Sequence, residues 1–233
     1  MISSDLTPQR LLRLLHLASP GLPVGAYSYS QGLEAAIEAG HVVDEAGAGI
    51  WIADVLALSV ARLEAPVWCR LYRAWEIEDA HALKHWSDFF MASRDNAEVR
   101  AETLQMGYSL ARLLRDLFPD DARVGSLPAD LTAAAIPYPQ ALAAACVILD
   151  IPLQASLHAT LFSWAENQVL AAVKAVPLGQ LAGQRLLFAL EPRLLAAADS
   201  ALALDDDEIA NWAPGLSFLC MRHETQHSRI FRS

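Results

Sequence analysis

LQASLHATLFSWAENQVLAAVKAV, residues Leu153 to Val176, is the stretch whose reading decides the fold. It reads as helix and is apolar nearly all round, which places it at the centre of a bundle rather than at a surface. Tyr138 to Leu149 before it and Leu178 to Ala198 after it also read as helices. Asp205 to Glu208 then looks like the charged first turn of another helix, favoured by the helix dipole.

Towards the N-terminus, Thr7-Pro8 has the form of an N-cap followed by proline at the first helical position, opening a helix through about Leu17. Ser19 to Ser30, SPGLPVGAYSYS, breaks the period, yet its Leu22, Val24, Tyr27 and Tyr29 mark a structured loop. A short helix over Gln31 to Ala39 stops at Gly40, and Asp44 caps the next segment, which runs past Trp51 to Val60. Further helices are predicted over Pro66 to Ile77, His81 to Ala92 and Arg94 to Phe118. In the last of these Met106, Leu110, Leu113, Leu114 and Leu117 form one stripe, with arginines opposite. Pro119 to Pro128 reads as a polar connection. No strand, repeat or domain boundary is evident. The prediction is all-α: a single domain over residues 1–233, a bundle of roughly ten helices.

Composition agrees. Alanine and leucine carry much of the 54% hydrophobic content, which is helix-forming material. The formal charge of −10 argues against a nucleic-acid partner and suits solubility or a basic protein partner. Cys69, Cys146 and Cys220 stand alone, as free thiols do in a reducing cytosol. Arg10, Arg13 and His16 interrupt the N-terminal leucines, so no signal-peptide core is present. The longest uncharged stretch, Leu131 to Leu149, is broken by prolines and reads as a buried helix rather than a membrane span.

His223-Glu224-Thr225-Gln226-His227 matches H-E-x-x-H, which on a helix puts two imidazoles on one zinc ion with a glutamate as base. A working site needs a third ligand, and neither a histidine nor an acid follows within Ser228 to Ser233. Arg222 and Arg229 would also repel a dication. The zinc-protease reading therefore stands as the alternative only. His81 and His85 share the i, i+4 spacing and are weak metal candidates, since two ligands do not make a site. No phosphate-cradling glycine loop occurs, and Ser28 and Ser30 lack the context of a serine nucleophile.

Three polar clusters stand out: Arg100–Glu102–Thr103, Glu166–Asn167–Gln168, and Arg222–His223–Glu224–Thr225. Buried polar groups need partners. Internal hydrogen bonding suits the first two clusters, and an interface suits the third. Lys174 is the only lysine or arginine of its helix, either a snorkelling side chain or a contact for a partner.

The chain resembles urease accessory protein F, the UreF family. The resemblance rests on LASPGLPVGAYSYSQGLE (17–34), RAETLQMG (100–107), AENQVLAAVKAVPLGQLAGQRLL (165–187) and MRHETQHSRIFRS (221–233). The sequence departs at Ala26, where the family commonly has glycine, and at His227, where it commonly has tyrosine. The H-E-x-x-H match thus looks like a tyrosine-to-histidine change. The resemblance implies a cytoplasmic, homodimeric scaffold without catalysis or cofactor of its own. Its implied partners are urease accessory protein D (H in some organisms), the nickel-carrying GTPase G, and apo-urease. The expected partner-binding residues are Gly25, Tyr27, Ser28 and Tyr29 in the loop, Lys174 as the GTPase contact, and Arg222, His223, Glu224, Thr225, Arg229, Ile230 and Phe231. The last seven belong to a docking tail, 217–233, expected to be mobile until the D-type partner orders it against the loop.

Overall fold

Helix α1, Pro8–Ala18, begins where Thr7 Oγ1 accepts from the amide of Arg10 at 3.3 Å, as its Thr-Pro start predicts. The computed structural model describes residues 6–128 and 135–233. Beyond a short 3₁₀ turn, Ala26–Ser28, comes α2, Leu33–Glu38, followed by α3, Glu45–Val55, which Asp44 caps through the amide of Gly47 at 2.8 Å. Then follow α4 (Ala65–Glu76), α5 (Ala80–Ala92), α6 (Ala97–Leu117), α7 (Ala122–Gly125), α8 (Tyr138–Ile148), α9 (Leu153–Ala175), α10 (Gln180–Ala203) and α11 (Pro214–His223). The described residues contain no strand.

Several boundaries differ from the sequence reading. The two segments expected on either side of Ala61 to Ala65 are one rod, Glu45–Glu76, whose middle, Leu56–Glu64, is π-helical. Pro66 does not break it, because the wider π turn leaves no tight i→i−4 bond for proline to lose. The carbonyls of Leu58 and Arg62 in that stretch accept instead from the amides of Trp212 and Ala210. The polar connection holds the one-turn helix α7, whose Arg123 donates to the carbonyls of Val147 and Ile148 and so closes the end of α8. Asp205–Glu208 makes a 3₁₀ turn with its own capping box, and the next helix starts only at Pro214. Part of the uncharged stretch from Leu131 lies outside the described residues.

Helix α9 does contact α1, α2, α3, α4 and α10, but it is not buried all round. Phe162, Leu170 and Lys174, four or eight residues apart, share an exposed ridge. The deepest helix is α8, held between α4 and α6. Small side chains explain this: Ala141, Ala143, Ala144 and Ala145 are fully buried because they let both neighbours come close. By length and apolarity the rod Glu45–Glu76 would suffice to cross a bilayer, although half of its apolar stretch is buried against the other helices. Trp164 of α9 is half-buried, and its indole N–H donates to Gln31 Oε1 at 2.9 Å.

Candidate functional site

Each of the three polar clusters picked out along the sequence sends residues to one place: Glu102, then Asn167 and Gln168, then His223 and Glu224, while Arg100 and Thr103 bond the carbonyls of Met91 and Val99. Helix α11 stops at His223, and the chain turns back through Glu224 to Ser233 so that this tail lies against α2, α6 and the loop after Gly25. Because the helix ends there, His227 is not one turn beyond His223, and H-E-x-x-H makes no helical metal pair. His223 is fully buried, with Nδ1 2.6 Å from Glu98 Oε2 and Nε2 3.2 Å from Glu34 Oε2, while His227 is exposed. Both ring nitrogens face carboxylates. His81 and His85 lie exposed on α5. Among the described residues no group of three or more His, Cys, Asp or Glu could hold a metal ion.

Glu34 organises the tail. It sits on α2 among Leu33, Ala35 and Ala36, and its oxygens accept from the backbone amides of Ile230 at 2.7 Å and Phe231 at 2.9 Å. Two residues before that helix, Gln31 and Gly32 both have positive φ, 53° and 84°. A Cβ at Gly32 would come within 2.9 Å of Leu216 and 3.0 Å of Cys220 Sγ, so only glycine lets α11 pack on α2. Glu224 lies at the positive end of α6, accepting from the amides of Ala97 at 2.6 Å and Glu98 at 3.4 Å. Arg229 pairs with Glu98 and also donates to the carbonyl of Gln226 at 2.9 Å. Thr225 Oγ1 donates locally, to the carbonyl of Arg222.

The tail meets the loop through its backbone and through the side chain of Arg232, which hydrogen-bonds the phenol of Tyr29. The amide of Arg232 donates to the carbonyl of Ser28 at 2.7 Å, and the carbonyl of Ser233 accepts from the amide and hydroxyl of Ser30, each at 2.6 Å. Tyr29 is buried, and its carbonyl accepts from Asn167 at 3.1 Å. Burial, then the nearby Glu102, holds its phenol above the usual tyrosine range. Tyr27 bonds instead to Glu166 on α9, and burial with that carboxylate pushes its phenol up to about 12. Gly25 opens the short turn that carries both tyrosines.

Beneath this junction lies Glu102, with Oε1 2.7 Å from Gln31 Nε2 and Oε2 2.8 Å from Ser233 Oγ. Burial pushes its carboxyl up to about 7, against the pull of those two hydrogen bonds. Gln31 and Glu102 also form part of the wall of a cavity of about 190 Å³ that reaches Trp68, Met106 and Leu161.

Lys174 joins the same surface. Its ammonium lies 4.8 Å from the centre of the Phe231 ring, a cation–π contact that fixes it beside the seated tail. Phe231 is buried, whereas Phe218, Met221 and Ile230 are exposed, and so are Arg222 and Arg232. The residues expected at a partner surface therefore divide. Lys174, Arg222 and Ile230 face outward, while His223, Glu224 and Phe231 hold the tail in place. Sequence reasoning missed Glu34 and Glu98. A signal for Glu34 was present: a carboxylate within LEAAIE, a helix otherwise apolar over its first turn.

Family comparison decides the lineage. The UreF family model matches residues 42–191. This chain belongs to the UreF family. The urease accessory protein UreF of Janthinobacterium sp. (strain Marseille) is 58% identical over 225 residues, covering 97% of this chain and 99% of that protein. The UreF of Nitrosospira multiformis is 52% identical over 96% of this chain and 97% of its own length. A bifunctional urease accessory protein UreEF of Bordetella bronchiseptica is 46% identical over 99% of this chain, within 54% of its own length. The UreF match includes Glu98, Glu102, Asn167, Gln168 and Lys174 of the site, while Glu34, the loop and the tail lie outside the matched residues.

Proposed function

We propose that this UreF-family protein works in urease maturation as a non-catalytic, cytoplasmic scaffold, one half of a homodimer. In this reading the D-type (H-type) accessory protein docks on the outer face of α11 and the tail. The nickel-carrying GTPase G then meets the Lys174 ridge, its GTP hydrolysis is modulated there, and nickel passes as cargo to apo-urease. The observation that carries the reading is the contact of Lys174 with Phe231, which makes one continuous surface of two segments far apart in sequence. Around it Phe218, Met221 and Ile230 offer apolar anchors, and Arg222 and Arg232 a cationic rim. The UreEF relative supports association of such a chain with a second accessory function.

The seated tail changes the test. Deleting Met221 to Ser233 would strip Glu34 and Glu98 of their tail partners, take the hydroxyl of Ser233 from Glu102, and unsettle the fold. Exposed anchors avoid that problem. Phe218→Ala with Met221→Ala and Ile230→Ala is expected to weaken binding to the D-type protein at least about ten-fold, with the melting midpoint nearly unchanged. Undiminished co-purification of the triple variant would remove this face from the interface. Lys174→Ala is expected to leave D-type binding intact while lowering urease activation in cells and altering GTP hydrolysis by the assembled complex. Normal activation at normal protein levels would remove Lys174.

A further inference from the structure

We propose that Glu102 is the joint of a proton-sensitive latch: the tail segment Arg229–Ser233 is held closed over the protonated carboxyl and released when that carboxyl ionises. Among the described residues, Glu102 is the one acidic side chain that binds both halves of the junction. Oε1 accepts from the amide of Gln31 in the loop, and Oε2 lies 2.8 Å from the hydroxyl oxygen of Ser233 in the tail, which accepts the proton of the neutral acid. Gln31 in turn accepts from Trp164 and Gln168 of α9, so the junction is tied to the bundle. Once the tail lifts away, water reaches the carboxyl.

A closed form that protects the acid and an open form that hydrates it bind protons differently. Burial raises the Glu102 carboxyl from 4.5 to about 7 in the closed form. The closed form therefore binds more protons than the open one between those values, and closing is favoured by acid. As pH rises from below 4.5 through 7, that advantage is lost. Opening should grow by up to about a few hundred-fold, the ratio set by a separation of that size.

The surrounding charges come from every element packed on the joint. Glu64 from the π-helical stretch raises the carboxyl further, and Arg94, ion-paired to Glu64 at 3.1 Å, lowers it. Tyr29 comes from the loop, Glu34 from α2, Asp95 and Glu98 from the start of α6, and Tyr138 and Cys146 from α8. Cys220 and His223 come from α11, and Arg229 and Arg232 from the tail itself. The buried thiol of Cys220 is pushed up to about 12, first by burial and then by Glu102, so no thiolate competes with the latch.

The latch is tested on the single chain without any partner, so its failure and the failure of the docking surface are distinguishable. Backbone amide exchange at Ile230, Phe231 and Arg232, corrected for the intrinsic pH dependence of exchange, reports tail opening. Between pH 5.5 and pH 8.5, about thirty-fold growth in opening is expected in the unaltered protein and little in Glu102→Gln. Equal growth in both, or none in the unaltered protein, overturns the proposal. Carbon NMR titration of the Glu102 carboxyl in the unaltered protein gives a second measure that needs no variant. A midpoint near 7 supports the latch, and one below about 5.5 overturns it.

Discussion

His223→Ala is expected to destabilise the protein by about 3–5 kcal/mol, the scale for deleting a large buried side chain together with the hydrogen bonds it makes. The imidazole is fully buried, bridges Glu98 and Glu34, and fills the space between α11, α6 and α2. Alanine would leave two acidic side chains facing each other across a void. The effect should not stop there, because Glu34 also holds the amides of Ile230 and Phe231. Chemical denaturation should show the lower midpoint, and amide exchange should show the tail loosened. Zinc content should stay unchanged, and a chelator should leave the melting midpoint of the unaltered protein where it was. A loss below about 1 kcal/mol would mean that the bridge carries little. Stoichiometric zinc lost on substitution would restore the metal reading.

Gly107→Ala is expected to cost about 3 kcal/mol, at the upper end of the range for overpacking a core. In an isolated helix the same change would help, since alanine is favoured over glycine by about 1 kcal/mol. Here a Cβ would lie 2.0 Å from the carbonyl oxygen of Ile136 and within 2.9 Å of the backbone of Pro137 and Tyr138. Those are main-chain atoms at the start of α8, so no side-chain rotation relieves the contact. Helix α8 would have to move away from α6, with Ala141 to Cys146 losing their packing. Unchanged or higher stability in urea would show that the close approach of the two helices is not obligatory.

Both residues lay within stretches that stood out in the sequence, yet their roles were not legible there. Gly107 ends RAETLQMG, and nothing in that string reveals a carbonyl from the turn before α8 at its Cα. His223 looked like half of a metal pair or part of an interface. Its real partners are 125 and 189 residues away along the chain. The outward Lys174 was singled out as a lone cation, but its neighbour Phe231 could not be read from the same pattern. The expected mobile tail is a related case. Its apolar and basic residues suggested a segment waiting for a partner, whereas Glu34, Glu102 and the loop backbone already seat it.

What the sequence determined by itself is local. Thr7, Asp44 and the helical periods set helix starts and lengths, because capping and amphipathic spacing act over three or four residues. The all-helical class follows from the same short-range rules. What only the tertiary structure decided is the partner of each buried polar group. Glu34 could have accepted from any amide, and Glu102 from any donor, until α11 turned back across α2 and α6. Burial then made those pairings obligatory, since an unpaired polar group in the interior costs more than any single contact returns. Sequence spacing contains no record of that choice, because the distances that fix it run across the fold rather than along the chain.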